Sequence, residues 1–135
     1  MIGWSDFVAI VRDEMRPLEE RYGFSVASSE CPFVRYRKDS IEFVIYFDVD
    51  RRQEFDIAVR LTEEPKFSPS VGLPALMRRR GIESYSPQFL QVTSEKEARG
   101  ELQKAGDILQ RHFQDLLEGD VQCLVIDHEK NKDTH

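Results

Sequence analysis

The sequence predicts an α+β fold: an antiparallel sheet of three to five strands with an N-terminal helix and a long C-terminal helix packed on it. Three observations predict it. Apolar residues recur at three- and four-residue steps in residues 4–22 and again in 95–118, the spacing of one helix face. Residues 41–61, IEFVIYFDVDRRQEFDIAVRL, instead alternate every second residue, the spacing of one strand face. The order is helix, strands, irregular segment, helix, which layers helices on one antiparallel sheet rather than building a parallel one.

In the first helix the stripe is Trp4, Phe7, Val8, Val11, Met15, Leu18 and Tyr22, with Ser5 as the expected cap, Asp6 at the positive end and Gly23 just past the close. Pro17 conflicts with a continuous helix, because it lacks an N–H and crowds the preceding turn. The helix therefore kinks there or stops near Arg16. Phe24 and Val26 open a first strand, and Pro32 suits the start of the next, residues 33–37.

The odd positions of 41–49 are Ile, Phe, Ile, Phe and Val, and those of 55–61 are Phe, Ile, Val and Leu. Both faces reach one core only if odd residues oppose odd residues, so the connection holds an odd number of residues: three (50–52) or five (50–54). A two-residue turn at Arg51-Arg52 would put one core face into water. Val44 and Tyr46 make the other face only partly polar, so this is expected to be a central strand whose outer face is partly covered.

Four prolines interrupt residues 62–92, where 73–80 reads as a short helix with Pro74 near its start and Gly81 at its end. The apolar residues here suit a segment wrapped on the domain. The last helix is expected over 95–118, with Ser94 and Glu97 as a capping box and Gly119 closing it. Its stripe is Ala98, Leu102, Ala105, Ile108, Leu109, His112, Phe113, Leu116 and Leu117. Gly100 and Gly106 weaken it unless they permit close packing. Residues 121–126 read as a last strand or packed extension. Residues 1–126 are expected to form one globular domain, and 127–135 a frayed polar tail.

Composition narrows the function classes. The chain has 135 residues and a formal net charge of −6. That balance argues against nucleic-acid binding, which wants a basic surface, and suits a basic protein partner. No apolar run spans a bilayer, and no signal peptide is recognisable, so the expected location is cytoplasmic. Cys31 and Cys123 lack metal-type spacing and read as small core hydrophobes.

The candidate chemistry centres on Asp48-Val49-Asp50. Two carboxylates two residues apart on a strand share a side, a geometry that holds Mg²⁺ against phosphates, and Glu54 or Asp56 would extend it. Yet the glycine-rich phosphate loop is missing, and Arg51 and Arg52 would neutralise the pair. The competing reading is a solvated hairpin end that discourages edge aggregation. No cofactor is implied, no zinc spacing occurs among His112, His128 and His135, and no nucleophile elbow is present. Arg78-Arg79-Arg80 suits a helix C-terminus, with phosphate or acidic-partner contact as the alternative. Arg35, Arg37 and Lys38 add positive charge on a nearby strand.

The layout, with ERYGF near the first helix end, VRYRKDSIEFVIYFDVDRRQEFDIAVRL in the strand block and HFQDLLEGD at the last helix end, resembles small bacterial α+β proteins, among them immunity proteins of polymorphic toxin systems. The resemblance implies an acidic, catalytically silent protein that blocks a toxin by binding it. The leading expectation is therefore a non-enzymatic protein-binding module that docks a basic partner through Tyr46, Asp48, Asp50, Glu54 and Asp56. The alternatives are a metal-dependent enzyme acting on phosphate-bearing substrates through Asp48 and Asp50, and a homodimer formed by the outer sheet face.

Overall fold

A computed structural model describes residues 2–50, 53–62, 70–82, 90–121 and 124. The odd-numbered apolar residues of the strand block set its plan. β3 (Ile41–Phe47) and β4 (Glu54–Leu61) pair antiparallel with Ile41 opposite Leu61, Ile45 opposite Ile57 and Phe47 opposite Phe55. Odd meets odd, as the core requires, and the register is the one that a three-residue connection would continue. The regular ladder ends sooner: Asp48 N–H bonds to Glu54 O at 2.9 Å, leaving five residues beyond that bond.

On the other side of β3 lies β2 (Phe33–Lys38), joined to it by Asp39 and Ser40, with Lys38 opposite Ile41 and Phe33 opposite Tyr46. Asp39 has φ +52°, a left-handed turn conformation that Asp tolerates better than most residues. β1 (Ser25–Ser28) pairs with β2 through a register shift between Val26 and Ser28. The sheet order is β1-β2-β3-β4-β5, with β6 also on β4. β5 (Val71–Gly72) and β6 (Leu90–Gln91) are two-residue strands that flank the far edge of β4 at different heights. Strands this short have no readable alternation, and neither is foreseeable from the sequence.

The helices lie on the odd face of β3 and β4. α1 (Trp4–Glu14) sends Phe7 onto Phe47, with ring centroids 4.2 Å apart and planes 9° off parallel, while Phe55 meets Phe7 edge-on. α2 (Arg16–Glu20) carries Pro17 in its first turn. Proline thus ends one helix and starts another, because the missing N–H costs nothing in a first turn. The cap is Gly3 rather than Ser5, which lies inside the helix; Asp6 does occupy the first turn. α3 (Leu73–Arg79) has Pro74 near its start, and Gly81 follows it at φ +74°.

α4 runs over Glu95–His112, and Ser94 Oγ accepts the N–H of Glu97 at 3.2 Å. The expected single helix to residue 118 breaks at Phe113 (φ −131°), and α5 (Gln114–Leu117) follows. Phe113 swings into the core, and His112, expected on the buried stripe, is exposed instead. Cys31, expected in the core, is an exposed free thiol at the head of β2; Cys123 lies outside the described residues. Of residues 121–126, read as a last strand or packed extension, only Val121 and Leu124 are among the described residues; Leu124 is buried and its N–H donates to Val121 O. The expected tail, 127–135, and much of the apolar content of 62–92 also lie outside the described residues. Among the described residues no helix is long and apolar enough to cross a membrane.

Two polar struts tie these layers. Buried Gln53, at φ +52°, accepts the Ile2 N–H at 2.9 Å and donates to Val49 O at 2.7 Å, while its own carbonyl accepts the Val92 N–H. It joins the N-terminus, the hairpin loop and the approach to α4. Arg80 lies over the Phe113 ring, chelates Asp115 at 2.7 and 3.1 Å and donates to the His112 carbonyl. The Arg80 contact with Asp115 holds that carboxyl below its ordinary range.

The glycines separate by conformation. A Cβ at Gly100 would meet nothing within 4 Å, and at Gly106 only Met15 Cε at 3.9 Å, so neither serves close packing. Gly100→Ala should therefore raise stability by about 0.5–1 kcal/mol in urea unfolding. Gly119→Ala, at φ +104°, should lower it by about 1 kcal/mol or more in the same assay.

Candidate functional site

The register that sends odd residues of β3 and β4 inward sends their even residues outward, together with the odd residues of β2. This outer face reads as successive cross-strand rows. The first is Arg37, Glu42 and Arg60. The second is Arg35, Val44 and Ala58. The third is Phe33, Tyr46 and Asp56. The last is Asp48 beside Glu54, at the hairpin end. One end of the face is rich in arginine, the other in carboxylate, and aromatic rings lie between.

Glu42 is fully buried although it sits on the outer face. Three guanidinium groups bury it. Arg37 donates twice to Oε2, at 2.6 and 3.1 Å. Arg60 reaches Oε1 at 2.8 and 2.9 Å, and Arg35 Nε stands 3.6 Å from the same oxygen. The arginine side chains stay 30–49% exposed, so the cluster is a net cationic patch around a sealed carboxylate. Arg35 also covers the Phe33 ring at 4.7 Å, and Phe33 meets Tyr46 at 5.7 Å. Among the described residues, the side-chain bonds and ring contacts of Phe33, Arg35, Arg37, Glu42, Tyr46 and Arg60 stay within this face, apart from one from Arg35 to Ser28 of β1.

At the other end, the structure refines the Asp-x-Asp geometry. β3 ends at Phe47, so Asp48 and Asp50 lie in the turn and do not share a strand face. Asp48 Oδ1 accepts the Asp50 N–H at 3.1 Å, an Asx-type turn bond, and Asp50 is exposed. Arg51 and Arg52 lie outside the described residues. Among the described residues no group of three or more His, Cys, Asp or Glu side chains converges to hold a metal.

Asp56 is the carboxylate with the most informative setting. It sits half-buried beside Tyr46, and Oδ1 accepts the Ile57 N–H at 2.8 Å. Burial nevertheless pushes its carboxyl above the ordinary range; the Ile57 bond opposes this and does not overcome it. Among the described residues no cation pairs with it. The Tyr46 phenol is also pushed up, first by burial and then by Asp48, Glu54 and Cys31.

The structure thus brings four of the five sequence-predicted residues, Tyr46, Asp48, Glu54 and Asp56, to one end of one face, with Asp50 at the tip of the turn. The sequence reading missed the Glu42 cage. Its signal was present in one of the two registers left open: with a three-residue connection Glu42 falls opposite Arg60, with a five-residue one opposite Thr62. The Arg78–Arg80 cluster divides, with Arg78 and Arg79 in the last turn of α3 and Arg80 serving as the strut to Asp115.

Comparison with known proteins gave no match to a family model, a curated protein or a solved structure.

Two expectations follow from this site. Glu42→Gln keeps the shape but leaves three arginines without their counter-charge. It should cost roughly 2 kcal/mol in chemical unfolding, below the range for fully buried pairs because the arginines remain hydrated. Added NaCl should narrow that gap by screening arginine–arginine repulsion. For Asp56 the folded state holds its proton more tightly than the unfolded chain, so this group's contribution to stability falls as pH rises from 3.8 through the raised folded value. Asp56→Asn should therefore melt higher than the parent near neutral pH, with the difference closing in acid below 3.8.

Proposed function

We propose that this chain is a non-enzymatic protein-binding module that docks a basic partner on the acidic end of its outer sheet face, as an immunity-type inhibitor covers its target. The observation that carries the reading is Asp56. Its carboxylate is held at a desolvation cost beside Tyr46, near Asp48 and Glu54, with no cation opposite it among the described residues. A charge that weakens the fold where a neutral residue would fit is characteristic of a functional position. A partner's Lys or Arg would supply the missing counter-charge, and Tyr46 with Phe33 would supply the aromatic contact area that anchors protein interfaces. The net charge of −6 would speed encounter with a basic surface. A cytoplasmic location fits this reading.

The test is tagged capture from the native lysate, with Asp50→Lys/Asp56→Lys as control bait, followed by association kinetics on the captured partner. A stoichiometric basic protein is expected, its association rate falling about tenfold or more with the control. An unchanged rate would remove this surface assignment.

A further inference from the structure

The same face carries both signs of charge, and they are ordered along the strands. Arg37 and Arg60 occupy the first row; Asp48 and Glu54 occupy the last. Rows stand two residues apart, so the four rows span roughly 20 Å, with the middle falling between Val44 and Tyr46. A two-fold axis lying in the interface and crossing the strands at that midpoint reverses the row order while keeping each strand over itself. It sets Arg60 over the Glu54 of a second copy, Val44 over its Tyr46, and Arg35 over its Phe33. Arg35 already lies against Phe33 within one chain, so the exchange repeats a contact this face makes. A rotation about the strand direction would instead put arginine over arginine. The charge order therefore selects one of the two simple self-pairings of this face.

We propose that the outer face of β2, β3 and β4 pairs with the same face of a second copy of this chain, the arginine end of each lying over the acidic end of its mate. The proposal takes this face as a docking surface, as in the preceding section, and names a second occupant for it. A basic partner would then compete with the mate's arginines for the same carboxylates. The Glu42 cage contributes to the pairing by fixing Arg37 and Arg60 in place, so less side-chain freedom is lost on association. An isologous contact of this kind is self-complementary and closes at two copies.

Sedimentation equilibrium of the full chain tests it. The parent is expected to be a concentration-dependent dimer. Val44→Glu and, separately, Tyr46→Arg should each weaken it about tenfold or more, and the double variant should recover to within about threefold, because residue 44 of each copy faces residue 46 of the other. Arg60→Glu, Glu54→Arg and their combination should behave in the same way. The first pair leaves the Glu42 cage intact and decides the matter if Arg60→Glu fails to fold. A parent that stays monomeric at the highest soluble concentration overturns the proposal, and so does a dimer that Val44→Glu leaves intact or a double variant at 44 and 46 that stays dissociated. Sedimentation of the chain alone reads self-association and lysate capture reads the basic partner, so self-pairing and the binding reading fail separately.

Discussion

The pairing register of β3 and β4 is the constraint on which the rest of this structure depends. With Phe47 opposite Phe55, every odd residue of both strands faces the helices, and the aromatic stack on Phe7 has its platform. A one-residue slip of either strand would turn its odd-numbered side chains out to water and bring charged residues into the core. At roughly 25 cal/mol per Å² of apolar surface removed from water, no hairpin-loop interaction competes with that loss. The loop therefore accommodates the register. Gln53 takes a left-handed backbone conformation and uses its amide to bind Val49 and Ile2 because the strands have already placed it there.

The same register explains the Glu42 cage. Glu42 stands between Arg37 and Arg60 in one cross-strand row, with Arg35 one row away on the same face. Burying a carboxylate is costly unless it is paired and hydrogen-bonded, and here both oxygens are engaged. A buried ion cluster is weak evidence for stability, since an apolar substitute of the same volume often does as well. Its contribution is to discrimination: a one-residue slip of β3 would turn Glu42 toward the core and away from its arginines. Charge on the outer face thus reinforces the choice that apolar residues make on the inner one.

That arrangement leaves the outer face with an uneven electrostatic surface. Arginine neighbours satisfy the carboxylate at one end, whereas Asp56 at the other is desolvated, with the Ile57 N–H as its one hydrogen-bond partner among the described residues. A binding surface is expected to hold such imperfectly compensated groups, because the partner completes them. The helices on the opposite face hold the strands rigid, and the Arg80–Asp115 and Gln53 struts secure the segments flanking the sheet. A rigid sheet presenting fixed arginines and half-buried rings loses little conformational freedom on docking.

How much of this was legible in the sequence differs element by element. The helical stripes, the odd-to-odd register, the Pro74–Gly81 helix and the capping role of Ser94 follow from local rules, since period, proline and glycine act within a few residues of themselves. The expectations that failed depended on distant neighbours. Phe113 breaks the last helix because the core and Arg80 draw its ring inward, which exposes His112. Ser5 loses the cap to Gly3, because the helix begins two residues earlier than a preference for serine would place it. Cys31 is exposed because it precedes β2 at the sheet's end. Sequence by itself determined the fold class, the odd-to-odd pairing of β3 and β4 and the acidic residues that gather at the hairpin end, because side-chain period and hydrophobicity are properties of the chain; which of the two odd-to-odd registers forms was decided in the fold. Tertiary structure alone decided that Glu42 is sealed by three arginines, that Asp56 is desolvated, and that one face carries opposite charges at its two ends, because each depends on which strands lie side by side.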